Sequence, residues 1–180
     1  FMSKKLKLTL IISPIIIIFL YFFTAHYSFH QFHKGIYYND KKLIKDYVEW
    51  NELRENFKNY INIQLLKETQ KSEELKDLGE LGVLLTGLAG KLVETMVDSY
   101  LNPEGLSMLI EKSEKKDEIP KPTLLTLIGG FTIMDFNGLS SFYITYENEG
   151  QEFPVFFNRK GLTWKITQIE FPENLLGDLK

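Results

Sequence analysis

The sequence of 180 residues contains 21 Lys and Arg against 24 Asp and Glu, has a formal net charge of −3 and contains no cysteine. Its basic residues form no stripe of the kind that nucleic-acid binding requires, so a nucleic-acid partner is not expected. The absence of cysteine excludes disulfides, thiolate metal sites and a cysteine nucleophile within this sequence.

The N-terminal segment is typical of a membrane anchor. Residues 1–7 include three lysines, and the apolar run 8–25 follows them. This run approaches the roughly 20 residues that a helix needs to cross the hydrocarbon core of a bilayer. A membrane helix tolerates Pro14, because neighbouring groups satisfy the carbonyl that the proline leaves free. The sequence therefore predicts a transmembrane helix over residues 8–25.

A cleaved signal peptide is the alternative interpretation of this run. Signal peptides combine an apolar region of about 7 to 15 residues with small residues just before the cleavage site. A cut after Ala25 would place Phe23 at position −3, and a cut after Ser28 would place His26 there. We therefore favour an uncleaved signal-anchor. A buried helix of a soluble domain is disfavoured because the run lacks a polar face.

The distribution of lysine predicts the orientation of the anchor. Three lysines precede the apolar run, Lys34 is the first to follow it, and Lys41, Lys42 and Lys45 come later. Cytoplasmic flanks of membrane helices carry the excess of Lys and Arg. Residues 1–7 are therefore expected in the cytoplasm, and the residues after the anchor are expected outside it.

Residues 26–117 are predicted to form the helical half of one extracytoplasmic domain. Asn39 and Asp40 are both good N-caps for a short helix over 41–47, and Asn51 is expected to cap a helix that runs from Glu52 to about Thr69. A later helix over 104–111 should begin after Asn102-Pro103, because this pair combines an N-cap with a proline in the first turn.

The segment 78–101 predicts a helix that is apolar over more than one face. Its leucine face consists of Leu81, Leu84, Leu85, Leu88, Leu92 and Met96. The adjoining small-residue face, which is the candidate interaction site, consists of Gly79, Gly82, Thr86, Ala89, Gly90, Val93 and Val97. A helix with so wide an apolar surface needs two partners. Two interpretations stay open: a core helix with close neighbours on its glycine side, and a helix that docks on a second subunit or on the bilayer surface.

Residues 118–180 are predicted to form the sheet half of the same domain, after a charged linker over 111–122. From Thr123 the apolar residues recur with a period of two, as in half-buried strands. Short connections, each containing glycine, indicate hairpins between four strands: Phe131–Phe136, Ser141–Glu147, Phe153–Asn158 and Leu162–Ile169. Pro154 predicts that its strand is at the sheet edge or is bulged at the proline.

The fold class is therefore α+β, with several helices packed on one face of a four-stranded antiparallel meander. A curved sheet around a helix, as in cystatin-like and NTF2-like proteins, is a suitable analogy. An analogy at this level carries no function.

No catalytic, cofactor-binding or metal site is predicted. His26, His30 and His33 have the spacing H-x3-H-x2-H, but no further ligands or second shell of the kind zinc sites use are evident near them. These are the only histidines in the sequence. A serine hydrolase site would have to draw on them, and the G-x-S-x-G motif is absent. We therefore expect a protein that is not an enzyme and holds no cofactor.

Three short motifs resemble a bacterial membrane-anchored family, domain of unknown function 2939. The opening motif is Tyr47-Val48-Glu49-Trp50 with Leu53-Arg54, the middle motif is Pro103-Glu104-Gly105-Leu106, and the closing motif spans 159–165. The resemblance implies a Gram-negative envelope protein with one inner-membrane helix and a periplasmic domain. It transfers no catalytic residue. Eight motif residues are expected to be structural: Tyr47, Trp50, Leu53, Arg54, Pro103, Gly161, Trp164 and Lys165.

The leading functional hypothesis is a membrane-anchored module that binds a protein partner or assembles with itself through the helix over 78–101. The alternative is a small apolar or lipid ligand between sheet and helices, suggested by the many aromatic residues of 131–171. An enzyme is the third and least favoured hypothesis.

Overall fold

The computed structural model describes residues 4–73, 77–113, 119–129, 133–148 and 150–172. Six helices have bounds in this part of the chain: α1 (Lys4–Tyr38), α2 (Lys41–Asp46), α3 (Trp50–Lys71), α4 (Glu80–Tyr100), α5 (Pro103–Lys112) and α6 (Leu124–Gly129). They precede the strands β1 (Asp135–Phe136), β2 (Ser141–Asn148), β3 (Gln151–Lys160) and β4 (Thr163–Ile169). The α+β class with helices first and strands last is confirmed.

The sheet is an antiparallel meander with the order β1-β2-β3-β4, as predicted. Gly150 and Gly161 have φ values of 76° and 67°, which a glycine adopts without strain in hairpin turns. Strand β1 is much shorter than expected, and the predicted residues 131 and 132 lie outside the described part of the chain.

The prediction that Pro154 marks an edge strand is wrong. Strand β3 lies between β2 and β4, and its irregularity falls at Phe156 and Phe157 rather than at the proline. The carbonyl of Pro154 accepts a hydrogen bond from the backbone N–H of Glu170 at 2.9 Å, just beyond the end of β4. In an antiparallel strand the N and the C=O of one residue point toward the same neighbouring strand. The nitrogen of Pro154, which has no hydrogen to donate, therefore faces β4 at the point where the β3–β4 ladder ends.

Helix α1 is one continuous helix of 35 residues whose two parts have different surroundings. The described side chains from Leu10 to Leu20 are exposed, and the packed part begins at Tyr21. Ala25 and Phe29 are buried against the sheet. Residues 21–25, which the sequence analysis assigned to the membrane helix, therefore contact the folded domain.

The core lies between the packed part of α1 and one face of the sheet. The buried residues of this face are Phe142, Ile144, Val155, Phe157, Trp164 and Ile166. The rings of Phe142 and Phe157 are stacked with centroids 4.7 Å apart. Phe29 and Phe32 of α1 contact the edge of the Phe157 ring. Alternation along the strands thus places the large apolar side chains on the face that α1 covers.

One of the two predicted side-chain caps in this region is confirmed and the other is wrong. Asp40 caps α2 as predicted, since its Oδ1 accepts from the backbone N–H groups of Lys42 and Leu43. Helix α3 begins before Asn51, so Asn51 is not its cap, and its Oδ1 instead accepts from Arg54 Nη2 at 2.6 Å.

Helix α6 occupies residues that the sequence analysis assigned to the sheet half. Thr123 and Thr126 form a reciprocal pair: the Thr123 N–H donates to Thr126 Oγ1 at 2.8 Å, and the Thr126 N–H donates to Thr123 Oγ1 at 3.4 Å. Such a pair satisfies two backbone donors at a helix start. This local cap favours a helix where the apolar pattern alone favoured a strand.

Candidate functional site

The opening and closing family motifs meet beside β4. The N–H of Ile166 donates to the Tyr47 carbonyl at 3.0 Å, and the N–H of Glu49 donates to the Ile166 carbonyl at 2.7 Å. Val48 consequently forms a parallel bridge with Ile166 and is buried. Lys165 Nζ lies 3.5 Å from Glu49 Oε2. The two motifs therefore extend the sheet by a short segment.

Arg54 of the opening motif ties α3 to the end of α4. Its Nη1 donates to the carbonyl of Leu101 at 3.3 Å, and its Nε lies 3.7 Å from Asp98 Oδ1. Lys58 Nζ is 2.7 Å from the same Asp98 oxygen. Asp98 is about half exposed, so these ion pairs are screened and we assign them a positioning role.

The middle motif turns the chain sharply into α5. Asn102 caps the helix by accepting the Gly105 N–H at 2.8 Å, and Pro103 occupies the first turn. The Gly105 Cα lies against the carbonyl of Tyr100, in a space that a Cβ atom would overlap. Glycine at this position is therefore required by packing.

Trp164 of the closing motif is fully buried beneath α1. Its indole Nε1 donates to Thr24 Oγ1 at 2.9 Å, and its backbone N–H donates to Ser28 Oγ at 3.0 Å. Its ring meets Tyr21 edge-on at 5.8 Å. Trp164 thus fixes both the position and the direction of α1 on the sheet, and Gly161 supplies the turn that precedes β4.

The small-residue face of α4 contacts α3 of the same chain. Thr86 Oγ1 lies 3.1 Å from Thr69 Oγ1, and a Cβ at Gly90 would lie 3.4 Å from Asn62 Oδ1. Gly82 and Val97 are buried, and Ala89, Gly90 and Val93 are partly buried. Gly79 is the exposed residue before α4, with a φ of 51°. Most of the candidate interaction face is thus covered within the chain.

The leucine face of α4 is the surface that α3 leaves exposed. Its six residues are between 50% and 67% exposed. The sequence analysis placed the candidate interaction site on the small-residue face, and it expected close neighbours on the glycine side if the helix belonged to the core. The sequence feature that favours the leucine face as the interaction surface is its spacing. Leu81, Leu85, Leu88 and Leu92 recur at intervals of four, three and four, as in the heptad pattern of a coiled coil.

A groove of about 500 Å³ runs between α3 and α4 beside this face. Leu65 and Leu66 of α3 line one wall, and Val83, Gly87 and Lys91 of α4 line the other. A Cβ at Gly87 would meet no atom within 4 Å. The groove is therefore an open, mainly apolar continuation of the exposed surface of α4.

The histidines of α1 belong to the packed part of that helix. His26 is 2% exposed. Burial lowers the pKa of His26 from 6.5 to about 4, so its imidazole is neutral at neutral pH. The ring of His33 stacks on Phe29 with centroids 6.2 Å apart. Among the residues that the structure describes, no group of three or more His, Cys, Asp or Glu side chains is arranged to hold a metal ion.

Among the residues that the structure describes, one helix is long and apolar enough to cross a membrane: it spans Ile12–Tyr38, and an 18-residue window of it has a mean hydropathy of 1.6. It coincides with α1, whose second part is packed on the sheet. No curated protein and no solved structure matches the chain. A family model with the description "Protein of unknown function (DUF2939)" matches residues 15–109, more than half of the chain. The match includes the opening and middle motifs, and the closing motif lies beyond it. The chain therefore belongs to the DUF2939 family of proteins of unknown function.

Proposed function

We propose that the chain is a single-pass membrane protein of the bacterial inner membrane that carries a non-enzymatic periplasmic module. The module acts by binding a second protein molecule through the leucine face of α4. The observation that carries this proposal is the exposure of two extended apolar surfaces, one on the N-terminal part of α1 and one on α4. Exposed apolar surfaces of this size are typical of membrane and protein interaction sites.

The anchor is supported by the contrast between the two parts of α1. The exposed part, described from Leu10 to Leu20, is apolar except for Ser13, whereas the packed part supplies core residues such as Ala25. A cleavage after Ala25 would cut a helix in the core and remove Tyr21 from its contact with Trp164. An uncleaved anchor therefore suits this domain better than a signal peptide. The lysine bias of the sequence favours a cytoplasmic N-terminus.

A second copy of the chain is the occupant that we propose for the leucine face. The heptad-like spacing of Leu81, Leu85, Leu88 and Leu92 suits knobs-into-holes packing against another helix. A twofold axis would let the same face serve both copies. Anchoring confines the copies to one membrane, which raises their effective concentration. A different protein partner is the alternative outcome of the test.

Cross-linking in the membrane tests this proposal. Because the sequence contains no cysteine, only the introduced cysteines can react. Single-cysteine variants Leu85→Cys, Leu88→Cys and Leu92→Cys should give dimers with a bifunctional maleimide. Adding Leu81→Glu to each should reduce dimer formation by about tenfold or more, because burial of an unpaired carboxylate in the contact costs at least about 2 kcal/mol.

The matched control is Leu124→Cys, which replaces a leucine of α6 that is more exposed (77%) than any of the three test positions. Equal dimer yields from Leu124→Cys and Leu88→Cys would contradict self-assembly through α4. Cross-linking of Leu88→Cys to a different protein only would assign the face to another partner.

The other two hypotheses receive less support. The aromatic residues that suggested a ligand between sheet and helices contact one another and α1, as Phe142, Phe157 and Trp164 do. Core packing accounts for them. The motif residues Glu49, Arg54 and Lys165 are engaged in ion pairs or backbone hydrogen bonds that hold elements together. This use favours a structural role over catalysis.

A further inference from the structure

Two leucines at one end of the sheet are almost fully exposed. Leu139, in the β1–β2 connection, is 75% exposed, and Leu162, in the β3–β4 turn, is 81% exposed. In an antiparallel meander these two connections lie at the same end. The backbone N–H of Arg159 donates to the Ser140 carbonyl at 2.9 Å and joins the connections directly. The two leucines form an apolar sheet tip whose side chains are largely open to solvent.

Tyr21 of α1 contacts the β1–β2 connection directly and is linked to the β3–β4 turn through Arg159 of β3. Its hydroxyl donates to the carbonyl of Leu139. The guanidinium of Arg159 lies 4.3 Å from the centre of the Tyr21 ring, and Arg159 Nε donates to the Gly161 carbonyl at 2.9 Å. Tyr21 is also the residue at which α1 passes from its exposed part to its packed part. The sheet tip therefore lies where the exposed apolar helix leaves the domain.

The exposed part of α1 is short for a bilayer. Residues 8–20 extend about 20 Å at 1.5 Å per residue, whereas the hydrocarbon core is about 30 Å thick. A span this short is accommodated by local thinning of the bilayer or by flanking groups that enter the interface. Either response brings Tyr21, and the two connections linked to it, to the level of the lipid headgroups.

We propose that the sheet tip, formed by Leu139 and Leu162, inserts into the headgroup and acyl-chain boundary of the membrane that holds α1. This inference rests on the proposed anchor. Tyrosine is enriched at membrane interfaces, and the cationic Arg159 beside it suits the phosphate groups of lipids. The bilayer is the occupant because a helix that enters it at Tyr21 carries both leucines to its surface. The domain then has a fixed orientation on the membrane.

Fluorescence quenching in lipid tests this proposal with the full-length chain. Single-cysteine variants Leu139→Cys and Leu162→Cys, labelled with an environment-sensitive fluorophore, are reconstituted into vesicles of phosphatidylcholine and phosphatidylglycerol. Nitroxide-labelled acyl chains should quench both labels several-fold more strongly than a label at Tyr38→Cys. Tyr38 is also exposed, and it lies about 26 Å further along α1 than Tyr21.

A label at Leu20→Cys distinguishes failure of the sheet-tip insertion from failure of the membrane anchor. Strong quenching at Leu20→Cys with equal, weak quenching at Leu139→Cys, Leu162→Cys and Tyr38→Cys would overturn insertion of the sheet tip and leave the anchor intact. Weak quenching at Leu20→Cys as well would overturn the anchor, and the sheet-tip proposal with it. All four positions are exposed, so the substitutions do not disturb the core.

Discussion

Replacement of Trp164 by alanine is expected to lower the free energy of unfolding by about 3 to 5 kcal/mol, the range for removing a large aromatic side chain from a core. The indole is fully buried and contacts Phe142 and Phe136 in addition to Tyr21. The variant also leaves Thr24 Oγ1 without its indole donor. Since Trp164 joins β4 to α1, its loss should loosen the packing of α1 on the sheet.

Denaturant unfolding of the full-length chain in detergent, followed by intrinsic fluorescence of Trp50 and the tyrosines, measures this effect. The control is Leu162→Ala, two residues away on the exposed β3–β4 turn, which should change the free energy of unfolding by less than about 0.5 kcal/mol. Similar losses in the two variants would contradict a core in which Trp164 is central.

Replacement of Gly105 by alanine is the second substitution for which a large effect is expected. A Cβ at this position would overlap the carbonyl group of Tyr100, which is backbone and yields only if the α4–α5 turn moves. Overpacking of this kind costs about 1 to 3 kcal/mol and occasionally more. The cost should exceed the gain of up to about 1 kcal/mol that alanine brings to a helix interior.

Gly87→Ala is the matched control, because Gly87 is also helical and has open space around its Cα. Thermal unfolding of both variants should show a lower Tm for Gly105→Ala and an unchanged or higher Tm for Gly87→Ala. An unchanged Tm for Gly105→Ala would mean that the glycine of the middle motif is not required by packing.

The meander was predictable because its signals are local. Apolar alternation defines the strands, and Gly150 and Gly161 mark the turns that require positive φ. The presence of Pro154 in a central strand was not predictable in the same way. The strand tolerates this proline because the neighbouring strand β4 ends beside it, and the position of that end is not a local signal. The helix at Leu124–Gly129 begins at a cap formed by two threonines. In a sequence, threonine is a less distinctive sign of a helix start than aspartate or asparagine.

The double role of α1 was hidden because lipid and protein core favour the same residues. Tyr21 and Phe22 lie at the end of the apolar run, where membrane helices often carry aromatic residues, yet in the structure Tyr21 contacts Trp164 and Phe22 contacts Phe136. An apolar run indicates that a surface is shielded from water, but it does not indicate whether lipid or protein covers that surface. The same ambiguity affected α4, whose periodicity defines two apolar faces but does not specify which one α3 covers.

Helix α1 is proposed to cross the membrane and to continue directly into a domain on the far side. Labelling of single cysteines with a membrane-impermeant maleimide in spheroplasts tests it most directly, and the cysteine-free chain supplies the background. Lys41→Cys, on the exposed surface of α2, should be labelled in intact spheroplasts, whereas Ser3→Cys should be labelled only after the membrane is permeabilised. Labelling of Ser3→Cys in intact spheroplasts, or protection of Lys41→Cys, would contradict the account.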